Sequence, residues 1–418
     1  MSIMIRSLLA PALWSLAMHL PFPAAATQIL GADLQKLTVF SATDTTTGAS
    51  TIIFGSGMAG GIATFGSGSS VWGDFSAVGA TSLGGSSSVL NGHLTSAGAI
   101  SIDAGTIVAG AIVTGAAATI GAGSTVGGHV HAAAAATVGA EARVAGDVLA
   151  GAAATIGADA SVAGAVGAVA AITLGAGSSV GSQHTLDTAP VDGVVLAARL
   201  SDAASANQVQ VAAAQSAFAL MTTTTFLASA MAGDTLLPAG VYSADSLSIA
   251  ASATLTLDGF YDPNRYWVFN IGNDFTTGAL SRIVLLGGAS GNSIIWNIGG
   301  FASLGADSQL RGTVLARSYV SVGANAGVTG VGGTCGGVFS ALSYVTLGAG
   351  TTMGDSACRG IDDNFERGDD GVAVHFIESV APLPEPSTWM MSIAGFSLLG
   401  VSLRRGRRSL SRPTCPRP

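Results

Sequence analysis

The first chemical candidate in this chain is a glycine-rich turn. Residues 55–60 read Gly-Ser-Gly-Met-Ala-Gly and match the GxGxxG pattern of a dinucleotide-binding turn. Such a turn opens a helix, and an acidic residue follows about 20 positions later at the end of a strand. More glycine and serine follow here instead, in a chain with 59 glycines. Composition therefore explains the match better than a nucleotide site does.

Histidines and carboxylates provide two weaker candidates. His129 and His131 could place two imidazoles on one strand face, but no third ligand lies near them in the sequence, so we predict no metal site. A polysaccharide hydrolase built on stacked strands would need clustered carboxylates. The one such cluster contains Asp258, Asp262, Asp274 and Arg265, and its Asp-Gly and Asp-Pro pairs are typical of turns. The sequence thus predicts no enzyme and no cofactor.

The third candidate is a row of hydroxyl side chains. Ser or Thr followed by an aliphatic residue recurs every 18 residues between positions 101 and 173 and returns three times after position 300. These residues are Ser101, Thr119, Thr137, Thr155, Thr173, Ser303, Ser321 and Thr346. If each repeat is one coil of stacked strands, the hydroxyls and methyls point outward in a row, about 4.8 Å apart. Thr is also simply favoured on exposed strands, which is the competing explanation.

The elements that would position this row follow from the same period. Three apolar positions repeat in each 18 residues, which indicates a three-cornered coil of parallel strands with a thin core. They are Ile120, Val138, Ile156 and Leu174; Val126, Val144, Val162 and Val180; and Val130, Val148 and Val166. Charged residues are only 10% of the chain, and much of its 49% hydrophobic fraction is Ala. We therefore predict a mostly β solenoid, interrupted by one long helix from Ser201 to Met221.

Both ends of the chain carry targeting patterns. Residues 1–26 have an early Arg6, an apolar stretch and a small-residue run, which predicts a cleaved signal peptide. Pro384, Glu385 and Pro386 precede a short apolar run and an arginine cluster, and this tail resembles the PEP-CTERM sorting signal of Gram-negative bacteria. The resemblance implies an exosortase-type protease as partner and a transient inner-membrane anchor. The protein would then reach the cell surface or the medium; the alternative is a permanent anchor.

Removal of both ends changes the charge of the protein. Seven of its 16 basic residues lie in them, so nine basic residues remain; if the cleavage leaves Glu385 on the protein, all 24 acidic residues remain and the net charge is about −15. Such a surface argues against nucleic acid as a partner. Of the three cysteines, Cys335 and Cys358 lie outside the removable tail. They form one disulfide, allowed by export, or remain two free thiols.

The second half of the chain contains five segments in a recognisable order: Leu-Pro-Ala-Gly-Val-Tyr at 237–242, Leu-Thr-Leu-Asp-Gly at 255–259, Trp-Val-Phe-Asn-Ile-Gly at 267–272, Ile-Trp-Asn-Ile-Gly at 295–299 and Gly-Thr-Val-Leu-Ala at 312–316. In these segments, and over about residues 189–354, the chain resembles the ice-binding-like domain family. The resemblance implies a right-handed parallel β-helix with one helix packed alongside and coils on both sides of that helix in the sequence. The regular N-terminal coils depart from this pattern and resemble bactofilin repeats.

The expected organisation has six parts. They are a signal peptide (1–26), N-terminal solenoid coils (27–188), a long helix with its connection (189–232), C-terminal coils (233–354), an extended acidic linker (355–383) and the sorting tail with its transmembrane segment (384–418). The family resemblance implies ice as the ligand, bound by the flat hydroxyl row. The alternative is a structural or adhesive component of the cell envelope or exopolysaccharide matrix.

Overall fold

The computed structural model describes residues 27–375 except 87, 90–91, 263, 289–290, 332–333, 357–363 and 369. Most of its strands pair in parallel and form one continuous solenoid. Each turn of the solenoid, here called a coil, contributes strands to three faces. The prediction of a mostly β fold with parallel stacking and one long helix is confirmed.

The face that carries the hydroxyl row, here called the ladder face, is one sheet of 14 strands. In chain order these are Thr45–Thr47, Ala63–Phe65, Thr81–Leu83, Ile100–Ile102, Ala118–Ile120, Ala136–Val138, Ala154–Ile156, Ile172–Leu174, Ala230–Met231, Leu247–Ile249, Phe275–Thr277, Ala302–Leu304, Val320–Val322 and Val345–Leu347. Most are only three residues long, with the outer two buried and the central one facing outward.

The other two faces belong to one sheet of 27 strands. The helix-covered face contains Leu37–Ser41, Ser56–Ala59, Phe75–Ala77, Leu94–Ser96, Ile112–Thr114, Val130–Ala132, Val148–Ala150, Thr225–Phe226, Gly240–Ala244, Tyr266–Ile271, Ser293–Ile298, Thr313–Ala316 and Gly337–Ser340. The third face contains Ile52–Ile53, Ser70–Val71, Ser88–Val89, Ile107–Val108, Thr125–Val126, Arg143–Val144, Thr235–Leu237, Thr254–Asp258, Arg282–Leu286, Gln309–Arg311, Gly327–Thr329 and Thr352–Met353. Ser161–Ala168 and Ser179–Thr185 run through the corner between these two faces.

The order of the coils in space differs from their order in the sequence. Coils from Leu37 to Thr185, the N-terminal block, stack outward from the middle of the solenoid. Coils from Thr225 to Met353, the C-terminal block, begin at the opposite end and return to the middle. There, the strand Val345–Leu347 pairs in parallel with Thr45–Thr47. The last coil of the chain thus completes the sheet of the first.

The core differs between the two blocks. Inward positions of the N-terminal block hold mainly Ala, Val and Ile, and Ile120, Val138 and Ile156 are each 1% exposed. The C-terminal block encloses stacked aromatic rings, with Phe269 and Trp296 only 4.1 Å apart between centroids. Since wide side chains need a wider coil, the longer strands of the C-terminal block follow from its aromatic content.

Two helices accompany the solenoid, a short α1 (Gly31–Leu34) and the long α2 (Gly193–Ala219). The Asp192 side chain caps α2 by accepting hydrogen bonds from the backbone N–H groups of Val194 and Val195. The predicted start at Ser201 is wrong by eight residues, because this cap lies so far upstream. The buried side of α2, which includes Val211 and Phe218, packs on the helix-covered face.

Amide side chains fix α2 against the C-terminal block. Gln215 donates to the carbonyl oxygens of Ile298 and Leu315, at 3.0 and 2.9 Å. Asn297 donates to the carbonyl oxygen of Gln215 (2.9 Å) and to the side-chain oxygen of Asn270 (2.7 Å). These bonds satisfy polar groups that the packed helix removes from water.

A small antiparallel sheet follows the last coil and involves Thr27–Gln28, Phe365–Arg367 and Ala373–His375. Phe365 is buried against Phe218 of α2, with ring centroids 5.0 Å apart. The segment expected to form an extended acidic linker is therefore partly folded, because its apolar residues find a surface on α2. No helix within the described part of the chain is long and apolar enough to cross a membrane.

Candidate functional site

All eight hydroxyl residues predicted from the sequence lie in one row on the ladder face. From one end of the sheet to the other, the row reads Thr173, Thr155, Thr137, Thr119, Ser101, Ser82, Thr64, Thr46, Thr346, Ser321, Ser303, Thr276, Ser248 and Ala230. Thirteen of the fourteen positions are therefore Ser or Thr. Five of them, Thr46, Thr64, Ser82, Ser248 and Thr276, were not in the predicted set.

The row faces solvent because residues alternate across each strand. In the strand Ala136–Val138, Ala136 and Val138 are buried and Thr137 is exposed between them. Parallel pairing without a register shift repeats this arrangement from coil to coil, so neighbouring hydroxyls stand about 4.8 Å apart. The backbone hydrogen bonds between parallel strands fix the position of every residue in the row. Few side-chain rotamers therefore remain to be restricted when a ligand binds.

A second row lies two residues before the hydroxyl row and divides the ladder face into two parts. In the N-terminal block six of its eight positions hold the methyl groups of Ala80, Ala99, Ala117, Ala135, Ala153 and Ala171, aligned by backbone hydrogen bonds from coil to coil, and Ile62 and Asp44 occupy the other two. In the C-terminal block it holds Phe301, Tyr319 and Tyr344, whose rings stack with centroids 4.8 and 5.1 Å apart. The N-terminal part is therefore flatter than the C-terminal part.

A third row, two residues after the hydroxyl row, consists mostly of glycine. Its members are Gly48, Gly66, Gly84, Gly121, Gly139, Gly157, Gly175, Gly278, Gly305, Gly323 and Gly348, while Ala232, Ala250 and Asp103 take the other three positions. A Cβ on Gly139 would lie 2.7 Å from the backbone nitrogen of Ala122 and 2.9 Å from the carbonyl oxygen of Ile120. Close coil packing thus favours glycine at eleven of these fourteen positions, and most of the border of the hydroxyl row carries no side chain.

Of the two histidines considered as metal ligands, His129 makes a structural hydrogen bond instead. His129 Nδ1 accepts the backbone N–H of Asp147 at 2.9 Å, and Asp147 in turn accepts that of Ala165 at 2.7 Å. These contacts connect successive coils at the corner between the third and helix-covered faces. Burial lowers the pKa of His131, as does His129, while Asp147 raises it. Among the described residues, no group of three or more His, Cys, Asp or Glu side chains could hold a metal ion.

The carboxylate cluster also serves local structure. Asp262 pairs with Arg265 at 3.1 Å and accepts the backbone N–H of Asn264, which lowers the pKa of that carboxyl. Asp258 accepts the N–H of Phe260, and Asp274 that of Phe301 in the next coil. The glycine-rich turn at 55–60 lies in the strand Ser56–Ala59, and the next element is another strand, so the helix that a dinucleotide needs is missing there.

The remaining predicted residues fall partly outside the described part of the chain. Cys335 is buried and disulfide-bonded. Its predicted partner Cys358 lies outside the described residues, so this pairing stays a prediction. The same holds for Pro384, Glu385 and Pro386 of the sorting motif, for the signal peptide and for the transmembrane segment.

Comparison with known proteins connects part of this solenoid to one family. Residues 148–352, a little under half of the chain, match the family model described as ice-binding-like. Ice-binding protein 1 of Shewanella frigidimarina is 36% identical over 118 residues, which is 28% of this chain and 13% of that protein. The ice-binding protein of Nostoc sp. is 38% identical over 117 residues, or 28% of this chain and 40% of that protein. The matches thus span less than half the length of either relative.

Solved structures give distant matches. The ice-binding protein of the ascomycete Antarctomyces psychrotrophicus is 23% identical, with a TM-score of 0.32 over 51% of this chain and 91% of that chain. The matching domain of the Shewanella frigidimarina ice-binding protein is 22% identical, with a TM-score of 0.33 over 50% of this chain and 90% of that chain.

Proposed function

We propose that this protein binds ice and that the ladder face is the surface that adsorbs to the crystal. The observation that carries the proposal is the uninterrupted row of 13 Ser and Thr residues on a single parallel sheet. The family match over residues 148–352 and the two ice-binding relatives support the same ligand.

The physical case rests on order and on low entropic cost. Methyl and hydroxyl groups in fixed rows can hold a layer of water in an ice-like arrangement. Hydrogen bonds mediated by ordered water are nearly as favourable in enthalpy as direct hydrogen bonds. Short Thr, Ser and Ala side chains lose little rotamer freedom when water orders over them. The third face, in contrast, carries Arg143, Arg282 and Arg311, whose exposed and flexible side chains would disturb a regular water layer.

A charge at the centre of the row tests the proposal. The Thr137→Arg variant is expected to keep its fold, because Thr137 is exposed, and to lose most ice recrystallisation inhibition and thermal hysteresis. Thr125→Arg on the third face is the matched control, since Arg143 already occupies the equivalent position of the next coil. Equal activity in both variants would exclude the ladder face as the site. No activity in the folded parent protein would exclude ice as the ligand.

We further propose that the protein is exported and displayed at the cell surface or released. Support comes from the sequence patterns of residues 1–26 and 384–418. Replacement of Pro384, Glu385 and Pro386 by Ala should leave the protein in the inner-membrane fraction of a host that carries an exosortase-type protease. Normal release of that variant would exclude this sorting route.

A further inference from the structure

The N-terminal block ends in an open coil. Its last strands are Ile172–Leu174 and Ser179–Thr185, and within the described residues each pairs with a strand on one side only. Core-facing residues of this coil are accordingly uncovered: Leu174 is 37% exposed, whereas its counterpart Ile156 one coil earlier is 1% exposed. The coil thus presents unpaired backbone groups together with apolar side chains.

The longer of these two strands lacks the usual protections of a sheet edge. Edge strands are commonly guarded by Lys, Pro, bulged ends or very short length. Ser179–Thr185 is instead seven residues long, and its pairing with Ser161–Ala168 shifts register once, between Val180 and Ser182. Neither strand contains Pro, Lys, Arg, Asp or Glu.

The opposite end of the solenoid is better guarded. Its first two strands, Thr225–Phe226 and Ala230–Met231, have two residues each, and Pro238 follows the third. Met231 fills the end of the core and is 8% exposed. The two ends are therefore not equivalent, and among the described residues the longer exposed edge lies on the N-terminal block.

An open coil of three-sided outline is best completed by another coil of the same outline. A second copy can supply such a coil if the two copies are related by a two-fold axis. This axis passes between the two Thr173 residues on the ladder face and through the opposite corner near Gly181. The strand Ile172–Leu174 then pairs with its own counterpart in antiparallel fashion, and Ser179–Thr185 does the same. Ile172 lies opposite Leu174 of the other copy, so apolar side chains meet across the junction.

We propose that two copies of this protein associate end to end through the open coil of the N-terminal block. The interface is isologous and therefore closes as a dimer rather than growing into a filament. Because the two-fold axis passes through the ladder face, both hydroxyl rows lie on the same side of the dimer and form one surface of twice the length.

A single cysteine tests the geometry. In an antiparallel pair, directly opposite Cα atoms are about 4.5–5.5 Å apart, within the range of a disulfide. The Thr173→Cys variant should therefore form a covalent dimer under mild oxidation. Thr155→Cys is the matched control: it lies in the same exposed row, but its counterpart would be three strand spacings away, about 14 Å, and no cross-link should form.

Sedimentation of the secreted protein measures the dimer dissociation constant independently of cross-linking. Leu174→Lys should raise the dimer dissociation constant by at least about tenfold, since a charge would be buried without a partner. Leu342→Lys, at a residue 53% exposed in the middle of the solenoid, should leave the dissociation constant unchanged. A parent protein that stays monomeric at all concentrations would refute the proposal. So would cross-linking of Thr173→Cys to Ala230→Cys in a mixture but not to itself, which would indicate head-to-tail stacking.

Discussion

The glycine row at the border of the ladder face predicts that an added side chain destabilises the fold at these positions but has little effect two residues later. In Gly139→Ala, the new Cβ meets backbone atoms of the preceding coil at 2.7–2.9 Å, closer than such atoms can approach. Backbone atoms held in a ladder cannot move aside as a flexible side chain can. Overpacking of this kind costs about 1–3 kcal/mol, and the upper half of that range applies because the collision involves backbone. Because Ala lowers the conformational entropy of the unfolded chain, the substitution also stabilises the folded state by about 0.4–1 kcal/mol. The expected net decrease in the free energy of unfolding is about 2 kcal/mol.

Gly123→Asn is the control that the chain itself provides. Gly123 has a φ of +66°, but a Cβ there meets no atom within 4 Å. Asn325 occupies the equivalent position of another coil with a φ of +54°, so Asn is tolerated in this conformation. The expected change in the free energy of unfolding is less than about 1 kcal/mol.

Urea unfolding followed by circular dichroism measures both variants against the parent protein. Hydrogen exchange of the strand Ala136–Val138 and its neighbours would show whether the loss is local. A loss below about 0.5 kcal/mol in Gly139→Ala, or an equal loss in both variants, would refute the argument that coil contact selects glycine in this row.

Three further predictions concern stability. Asn297→Ala should cost about 1–3 kcal/mol by chemical unfolding, because it leaves the carbonyl oxygen of Gln215 without its donor; an unchanged midpoint would show that water replaces the side chain. Ile156→Ala should cost about 2–5 kcal/mol and Ile172→Ala, in the open coil, less than about 1 kcal/mol in dilute monomer; similar losses would contradict an uncovered end. Burial lowers the pKa of His375, so the unfolded chain takes up that proton first. The stability it contributes is present above the ordinary histidine pKa and is lost as the pH falls below it, and His375→Gln should therefore flatten the unfolding free energy between about pH 7 and 5; parallel curves would count against it.

Much of the N-terminal block could be predicted because each coil there has nearly the same length. The 18-residue period from Ser101 to Thr173 places inward and outward residues without reference to any distant contact. Ser248 and Thr276 escaped prediction because C-terminal coils differ in length, which removes the fixed spacing. Thr46 and Thr346 are neighbours across 300 residues of sequence, and no local pattern reports such a pair.

The missed start of α2 has a different cause. Asp192 follows Pro190, a combination typical of a helix N-terminus, and both lie upstream of the apolar spacing on which the prediction relied. The hairpin at 365–375 was missed because an acidic, proline-flanked segment indicates an exposed linker, whereas its burial depends on Phe365 meeting α2. The helix start thus depends on a local signal outside the apolar spacing, whereas the hairpin depends on a tertiary contact.

The return of the chain to its starting coil determines when this protein can finish folding. The edge of Thr45–Thr47 must wait for Val345–Leu347, which is synthesised some 300 residues later. Strand pairings so distant in sequence form slowly, because a very long loop must close before their contacts can stabilise the chain. Completion of the solenoid is thus the last step of assembly, and it cannot begin before nearly the whole chain has been synthesised.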